Sequence, residues 1–115
     1  MRILVCGGRD YNNQSEVEYQ LGGIHNETPI KHVIAGAANG ADTLAVRWAK
    51  DEHIKVTEFP ANWKKYGKRA GYIRNKNMLE QGNPDMVVAF PGGRGTEMMC
   101  RLADDAGVCV NRVTI

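Results

Sequence analysis

The sequence predicts an α/β fold, a three-layer α/β/α sandwich in which helices cover both faces of a mostly parallel sheet of about five strands. Five short strand-like segments alternate with four helix-like patterns, the order that is typical of parallel strands joined by crossover helices. Several of the segments are continuous apolar runs, as in parallel strands buried on both faces. Glycine-rich turns follow the first, second and fourth segments. A length of 115 residues supports one core, so we expect 1–115 to form a single domain.

The first strand is predicted over residues 2–6, where an apolar run ends in the turn Gly7–Gly8. A helix is predicted to begin near Ser15, because Glu18 follows three residues later as in a capping box. Glycine is a poor helix former, so Gly22–Gly23 are expected to weaken this helix or to end it early.

The second strand is predicted over residues 32–35, and the glycine turn 36–42 follows it. The next helix has apolar residues on one face, at Ala41, Leu44, Ala45, Trp48 and Ala49. Asp42 would lie in its first turn. Two interpretations of Asp42 stay open: a carboxylate stabilised by the helix dipole, or an acceptor for a ribose hydroxyl that also orients a basic group.

Alternation over residues 54–59 predicts a third strand, and the irregular stretch 60–70 follows it. Long loops in small domains are often functional. Trp63 and Tyr66 lie there among lysines. Each ring either stacks on a base beside phosphate-binding side chains or folds back over the edge of the sheet.

The segment 64–79 contains no acidic residue and suits an anionic ligand, although a solvated basic surface is the alternative. Its six basic residues are Lys64, Lys65, Lys68, Arg69, Arg74 and Lys76. A third helix is predicted over 71–79 within this segment, and the Gly-Asn-Pro sequence at 82–84 ends it.

The fourth strand is predicted over 86–90, and the turn Pro91 to Thr96 connects it to the last helix. Thr96 is the predicted N-cap of that helix, and Gly107 its C-terminal cap. A fifth strand is predicted over 108–113. Strand, glycine turn and helix together present backbone N–H groups to an anion.

The carboxyl ends of parallel strands lie at one edge of a sheet, so the three glycine turns and the basic loop should meet there. Ligands of such folds bind at that edge, where the strand order reverses. The sequence therefore predicts a site for a small anionic ligand, a nucleotide or a ribose phosphate.

Composition excludes several classes of protein. The net charge of +2 is too small to indicate nucleic acid by itself. No apolar stretch approaches the ~20 residues of a membrane span, and there is no signal-peptide layout, so we expect a cytoplasmic protein without membrane contact. The turns match neither the dinucleotide fingerprint nor the P-loop, which disfavours an NAD dehydrogenase and a P-loop NTPase.

Cysteine and histidine spacings predict no metal site and no cofactor. Cys6, Cys100 and Cys109 match no zinc, redox or disulfide pattern, and we interpret them as small buried hydrophobic residues. The three histidines have no ligand-like spacing and are interpreted as surface or packing residues.

Five motifs in order resemble the SLOG superfamily, and within it the small YspA/YpsA-related SLOG proteins of bacteria and phages. They are GGRDY, GAANGAD, PANWKKYG, AGYIRNKNM and VVAFPGGRGT, and the resemblance spans residues 1–110. It implies a Rossmann-like fold that binds nucleotides or nucleotide-derived ligands. The wider superfamily includes the "Lonely guy" phosphoribohydrolases, DNA-processing proteins and nucleotide sensors of defence systems.

The phosphoribohydrolases carry P-G-G-x-G-T-x-x-E, in which the glutamate and an upstream arginine act at the N-glycosidic bond. Pro91 to Thr96 match that motif, but Met99 stands where the glutamate would be. Glu97 is the nearest carboxylate, and Arg74–Asn75 resemble the arginine segment. By the resemblance, a catalytic role would fall to Arg74 and Glu97.

We expect a binding protein that senses or sequesters a nucleotide-like ligand, ADP-ribose-like compounds included. The predicted contacts are Gly7, Gly8, Arg9, Asp10, Gly36, Ala37, Gly40, Ala41, Asp42, Arg74, Asn75, Pro91, Gly92, Gly93, Arg94, Gly95 and Thr96.

Two alternatives remain open. One is a phosphoribohydrolase of nucleoside monophosphates, in which Glu97 or Asp42 handles the proton or the water. The other is a single-stranded nucleic-acid binder that uses Trp63, Tyr66 and the basic loop. We also expect a homo-oligomer, because a small α/β sheet covers itself poorly.

Overall fold

The computed structural model describes residues 1–115 as one parallel sheet with helices on both faces, which confirms the predicted fold class. The strands are β1 (Arg2–Cys6), β2 (His32–Ala35), β3 (Lys55–Glu58), β4 (Met86–Ala89) and β5 (Cys109–Arg112). The helices are α1 (Gln14–Glu27), α2 (Ala41–Asp51), α3 (Trp63–Tyr66), α4 (Ala70–Gly82) and α5 (Arg94–Asp105), and a 3₁₀ turn spans Gly67–Arg69.

The strand order is β3-β2-β1-β4-β5, and every neighbouring pair is parallel. The chain moves outward from β1 to β3 and then crosses back to place β4 on the other side of β1. The order therefore reverses between β1 and β4, where Val5 pairs with Val88. The helices that follow these two strands, α1 and α5, lie on opposite faces of the sheet, and ligands of such folds bind at this position.

Helices α1 and α2 cover one face of the sheet, and α4 and α5 cover the other. Because side chains alternate along a strand, Ile3 and Val5 pack beneath α1 and α2, whereas Leu4 and Cys6 pack beneath α4 and α5. The second of these cores includes Met99 of α5. Met99 is fully buried, so the residue at the glutamate position of the hydrolase motif is a core residue here.

The first helix differs from the prediction at both ends. It begins at Gln14, because the side chain of Asn13 accepts a hydrogen bond from the N–H of Glu16 and caps it. It also continues through Gly22–Gly23 to Glu27, since the buried residues Val17 and Leu21 anchor it to the sheet. Tertiary packing outweighs the low helix propensity of the two glycines.

Three other local predictions need correction. Thr96 is not an N-cap, because α5 begins at Arg94 and its N-cap is Gly93, three residues before the predicted one. The stretch 60–70 is not irregular throughout, because Asn62 caps the short helix α3 through the N–H of Lys65. Cys109 is exposed on the edge strand β5, whereas Cys6 and Cys100 are buried as predicted.

None of the helices has both the length and the apolar character needed to span a membrane.

Candidate ligand-binding site

A cavity of about 430 Å³ opens at the carboxyl ends of β1 and β4, where the strand order reverses. We call it the main cavity. Its walls are the loop after β1, the first turn of α5, one face of α4 and the segment that contains α3. This is the edge at which the glycine turns were predicted to meet.

The peptide groups of Gly8 join three loops at the base of the cavity. The N–H of Gly8 donates to the carbonyl of Pro91 (2.9 Å), which links the loops after β1 and β4. The carbonyl of Gly8 accepts from the N–H groups of Ala41 and Tyr11, each at 3.2 Å. The loop after β2 is thereby tied to the same point, at the start of α2.

Close packing of these loops requires glycine at two positions. A Cβ atom on Gly92 would lie 2.6 Å from the nitrogen of Gly8 and closer still to the hydroxyl of Thr96. Gly40 has a φ of +75° and packs against the carbonyls of Gly8 and Arg9. The glycines of the second and fourth turns therefore bring backbone against backbone.

The first turn of α5 presents its N-terminus to the main cavity through Gly93, Arg94, Gly95 and Thr96. The first N–H groups of a helix have no partner within the helix, and Gly93 has no side chain that could cap them. The helix dipole adds a partial positive charge at this end. An anion can accept hydrogen bonds here without displacing a side-chain cap.

Arg74 and Asn75 of α4 connect opposite walls of the cavity. The guanidinium of Arg74 donates to the carbonyl of Gly36 (Nη1–O, 2.5 Å) and to the side-chain oxygen of Asn75 (Nε–Oδ1, 2.9 Å). The amide of Asn75 donates in turn to the carbonyl of Gly95 (3.2 Å). These bonds orient Arg74 toward the loop after β2 and attach α4 to the first turn of α5.

Asp42 is buried in the first turn of α2, and its carboxylate accepts a hydrogen bond from the N–H of Ala38 (3.2 Å). Burial raises the pKa of Asp42 to about 6, although the Ala38 N–H, the charge of Arg74 and the Gly36 N–H all act to lower it. Burial also lowers the pKa of Arg74 from its ordinary value, while Asp42 acts to raise it. Asp42 and Arg74 each shift the pKa of the other through their charges, and both residues line the main cavity.

Positive charge predominates around the main cavity. Four basic side chains line it, and Asp42 is the one carboxylate among its lining residues. The basic residues are Arg9, Lys68, Arg74 and Arg94. Low-dielectric walls that carry charge of one sign concentrate the opposite charge, so the cavity favours an anion.

Aromatic side chains form the outer part of the cavity. Trp63 and Tyr72 both line it and are 49% and 42% exposed. The guanidinium carbon of Arg9 lies 5.9 Å from the centre of the Trp63 ring, a cation–π distance. A second, smaller cavity of about 240 Å³ adjoins the first, and Arg9, Trp63 and Arg74 line both.

The structure brings most of the predicted site residues to these two cavities. The residues that line at least one of them are Gly7, Gly8, Arg9, Gly36, Ala37, Asp42, Arg74, Asn75, Gly93, Arg94, Gly95 and Thr96. Five others lie outside the linings: Asp10, Gly40, Ala41, Pro91 and Gly92. Gly40, Ala41, Pro91 and Gly92 contribute instead to the loop packing around Gly8.

Glu97 is exposed and does not line either cavity. Its negative charge acts on Cys100 and Arg112, toward β5. The structure therefore does not place Glu97 where a carboxylate could act on a ligand in the main cavity.

Several lining residues were missed from the predicted contacts, among them Cys6, Gly71, Tyr72, Met78 and Met98. Helical periodicity offers a signal for two of them. Gly71 and Met78 lie on the same face of α4 as Arg74 and Asn75, at spacings of three, four and seven residues. Trp63 and Lys68 were expected at this edge as parts of the basic loop but were not among the predicted contacts, and they line the same cavity as the glycine turns.

Comparison with known proteins agrees with this architecture. The "Gene 61 protein" of Mycobacterium phage D29 is 37% identical over 117 aligned residues, which cover 95% of this chain and 93% of the phage protein. The crystal structure of DNA processing protein A (DprA) from Streptococcus pneumoniae matches 99% of this chain with a TM-score of 0.80 at 18% identity. The present chain spans half the length of that structure, so the likeness concerns the fold of one part of it.

The family model described as YspA, cpYpsA-related SLOG matches residues 1–66, more than half of the chain. Those residues include β1 to β3 and the glycine turns after β1 and β2. This chain therefore belongs to the YspA-related SLOG family.

Proposed function

We propose that the main cavity binds a nucleotide or nucleotide-derived ligand, in a role of sensing or sequestration. The observation that carries this proposal is the convergence of the α5 N-terminus with four basic side chains on one cavity. In this arrangement a phosphate group accepts hydrogen bonds from the backbone of 94–96. Arg94 and Lys68 balance its charge.

The remaining parts of the ligand follow from the neighbouring walls. Asp42 and the loop after β2 lie beside Arg74, where a ribose hydroxyl can form a hydrogen bond with the carboxyl group of Asp42. A volume of about 430 Å³ lies within the usual range of small-molecule sites. Membership of the SLOG family fits binding of nucleotide-related or nucleic-acid ligands in broad terms.

Thermal unfolding of the purified protein with a panel of compounds tests the proposal. The panel contains nucleoside monophosphates, cyclic nucleotides, ADP-ribose and ribose 5-phosphate. A ligand at one hundred times its dissociation constant stabilises the folded state by ~2.7 kcal/mol, which raises the Tm by roughly 10 °C in a domain of this size. Chromatography of the recovered compound then shows whether it is intact.

Two arginines of α5 provide a matched pair of variants for this test. Arg94 lines the main cavity, whereas Arg101 is exposed on the same helix and lies outside it. Arg94→Ala should reduce the ligand-induced shift in Tm, and Arg101→Ala should leave it unchanged. Equal shifts in both variants would argue against phosphate binding at the start of α5.

Absence of a shift across the whole panel would contradict the proposal. Tight binding of a single-stranded oligonucleotide, weakening steeply with salt, would then favour nucleic acid as the ligand.

One observation favours a second function, N-glycosidic hydrolysis of a nucleoside monophosphate. Asp42 is the one carboxylate that lines the main cavity, and a pKa of about 6 suits a group that exchanges a proton near neutral pH. Arg74 would stabilise the developing negative charge. Release of free base by the wild type, abolished in Asp42→Asn and retained in Glu97→Gln, is the expected result for this function. Recovery of the nucleotide intact would contradict it.

A further inference from the structure

We propose that the exposed ring of Trp63 is a stacking platform for a nucleobase, so that the ligand carries an aromatic base and not only a sugar phosphate. This inference rests on the proposed function, because it assumes that a phosphate binds at α5. It extends that function by assigning a specificity element to a residue outside the glycine turns.

The two tryptophans of the chain differ sharply in their surroundings. Trp48 is 5% exposed within the core beneath α1 and α2, whereas Trp63 is 49% exposed and lines both cavities. About half of the surface of Trp63 is thus exposed to solvent, and the residue borders a cavity that basic side chains line. A base that stacks on this ring would remove its surface from water.

The position of the Trp63 ring is set by its neighbours. Asn62 caps the short helix that Trp63 begins, through the N–H of Lys65 (3.1 Å). Helix α4 passes close to the ring at Gly71, where an added Cβ would lie 3.5 Å from the Cη2 atom of Trp63, an ordinary van der Waals distance. The ring of Trp63 therefore lies against the start of α4.

The guanidinium of Arg9 lies over the Trp63 ring, 5.9 Å from its centre. A cation–π pair at an exposed site is weaker than stacking of a base on an aromatic ring. A base can therefore take the place of the guanidinium, or stack between it and the indole. In either case Arg9 stays at the cavity wall, where its charge faces the phosphate.

Tyr72 adds a second aromatic ring to the same cavity, one residue beyond Gly71. The first turn of α5 lines that cavity as well, so one nucleotide can contact the rings with its base while its phosphate contacts the backbone of 94–96. A base-free ribose phosphate would leave the rings uncovered.

Tryptophan fluorescence and calorimetry test this inference with AMP and ribose 5-phosphate as the probes. Trp48 is buried, so a change in emission on stacking arises from Trp63. AMP should quench the emission to saturation and bind more tightly than ribose 5-phosphate, which should not quench it. In calorimetric titrations, Trp63→Ala should weaken AMP binding by about tenfold or more and leave ribose 5-phosphate binding unchanged. Trp63→Phe should retain most of the affinity for AMP.

Tyr66→Ala is the matched control, because Tyr66 is an exposed aromatic residue of the same short helix but does not line either cavity. It should change neither affinity. If AMP and ribose 5-phosphate bind with equal affinity and Trp63→Ala changes neither affinity, the result would contradict base stacking on Trp63. It would not contradict phosphate binding at α5. Binding of neither probe, with no shift in the wider thermal panel, would instead overturn the proposed function and the platform with it.

Discussion

Arg74 and Asn75 are adjacent in sequence, are hydrogen-bonded to each other, and attach to opposite walls of the main cavity. Arg74 donates to the carbonyl of Gly36 after β2, and Asn75 donates to the carbonyl of Gly95 in the first turn of α5. Asn75 is almost fully buried, at 4% exposure, while Arg74 remains partly accessible. The pair thus combines a structural amide with a cation that is still available to a ligand.

Asn75→Ala is expected to destabilise the protein by about 1–3 kcal/mol, because it leaves the Nε–H of Arg74 and the carbonyl of Gly95 without partners. Urea denaturation of the purified variant measures this loss. Asn77→Ala, on the same helix but outside this network, serves as the control and should change the stability by less than about 0.5 kcal/mol. Equal losses of stability in the two variants would show that the hydrogen bonds of Asn75 make no specific contribution to stability.

Asp42 is expected to make the protein less stable as the pH rises. Its pKa is raised from 3.8 to about 6 by burial, so the folded state holds the proton more tightly than the unfolded state. The contribution of this proton to stability is complete below pH 3.8 and is lost as the pH rises through 6. Asp42→Asn lacks this dependence. Between pH 4 and 7, denaturation curves should therefore show the free energy of unfolding of the variant rising relative to that of the wild type. A constant difference in the free energy of unfolding would contradict the assignment.

The same carboxylate should couple anion binding to pH. The negative charge of a phosphate in the same cavity favours the protonated form of Asp42, so affinity should increase as the pH falls from 8 to 5, up to about tenfold if the pKa of Asp42 rises by one further unit on binding. ADP-ribose is the suitable probe, because its pyrophosphate does not titrate in this range. Calorimetry should find that the affinity of Asp42→Asn for ADP-ribose hardly changes with pH. A wild-type affinity that is also independent of pH would contradict the coupling.

His32 should destabilise the fold at mildly acidic pH. It is buried at the start of β2, with Arg2 on one ring nitrogen (2.9 Å) and Thr57 on the other (2.6 Å). Burial and the charges of Arg2 and Lys55 lower its pKa below the usual 6.5. The contribution of neutral His32 is complete above 6.5 and is lost as the pH falls from there toward the lowered folded-state pKa.

Denaturation at pH 7 and pH 5 measures this effect in an Asp42→Asn background, which removes the stability that Asp42 adds as the pH falls. In that background, His32→Asn should lose less stability between the two pH values than the parent that retains His32. His53→Asn is the control, because His53 is exposed at a φ of +58°, a conformation that asparagine tolerates. In the same background it should keep the pH dependence of the parent. Equal free energies of unfolding of the Asp42→Asn parent at pH 7 and pH 5 would count against His32.

Two glycines should respond to alanine in opposite directions. A methyl group on Gly23, within α1, would meet no atom within 4 Å, so Gly23→Ala should stabilise the protein by about 0.5–1 kcal/mol through helix propensity. A methyl group on Gly92 would collide with the backbone of Gly8, so Gly92→Ala should destabilise it by roughly 2 kcal/mol. Thermal unfolding compares the two variants directly, and a stable Gly92→Ala protein would show that the loops can separate at little cost.

The sheet and the meeting of the glycine turns at one cavity could be predicted because both depend on simple patterns. Apolar runs such as 86–90 identify strands that are buried on both faces, and parallel topology then brings the turns after them to one edge. The convergence of Gly8, Arg74 and Gly95 followed from that geometry without any knowledge of individual contacts.

Details that depend on tertiary contacts could not be predicted in the same way. Asn13 rather than Ser15 caps α1, and the choice between two nearby polar residues rests on where the chain leaves the sheet. Glu97 and Met98 are neighbours, yet only Met98 faces the cavity, because the rotation of α5 is set by burial of Met99 in the core. The involvement of Tyr72 required knowledge of which face of α4 packs against α5.

The peptide groups of Gly8, bonded to Pro91 on one side and to Tyr11 and Ala41 on the other, have a consequence for how the protein meets its ligand. A ligand that entered the main cavity would meet a floor whose hydrogen bonds are already formed, so little chain entropy would be lost on binding. Rearrangement would then be confined to side chains at the mouth of the cavity, chiefly Arg9 and Trp63. A site of this kind would signal a bound ligand by a change at its mouth, while the sheet and its loops would keep their positions.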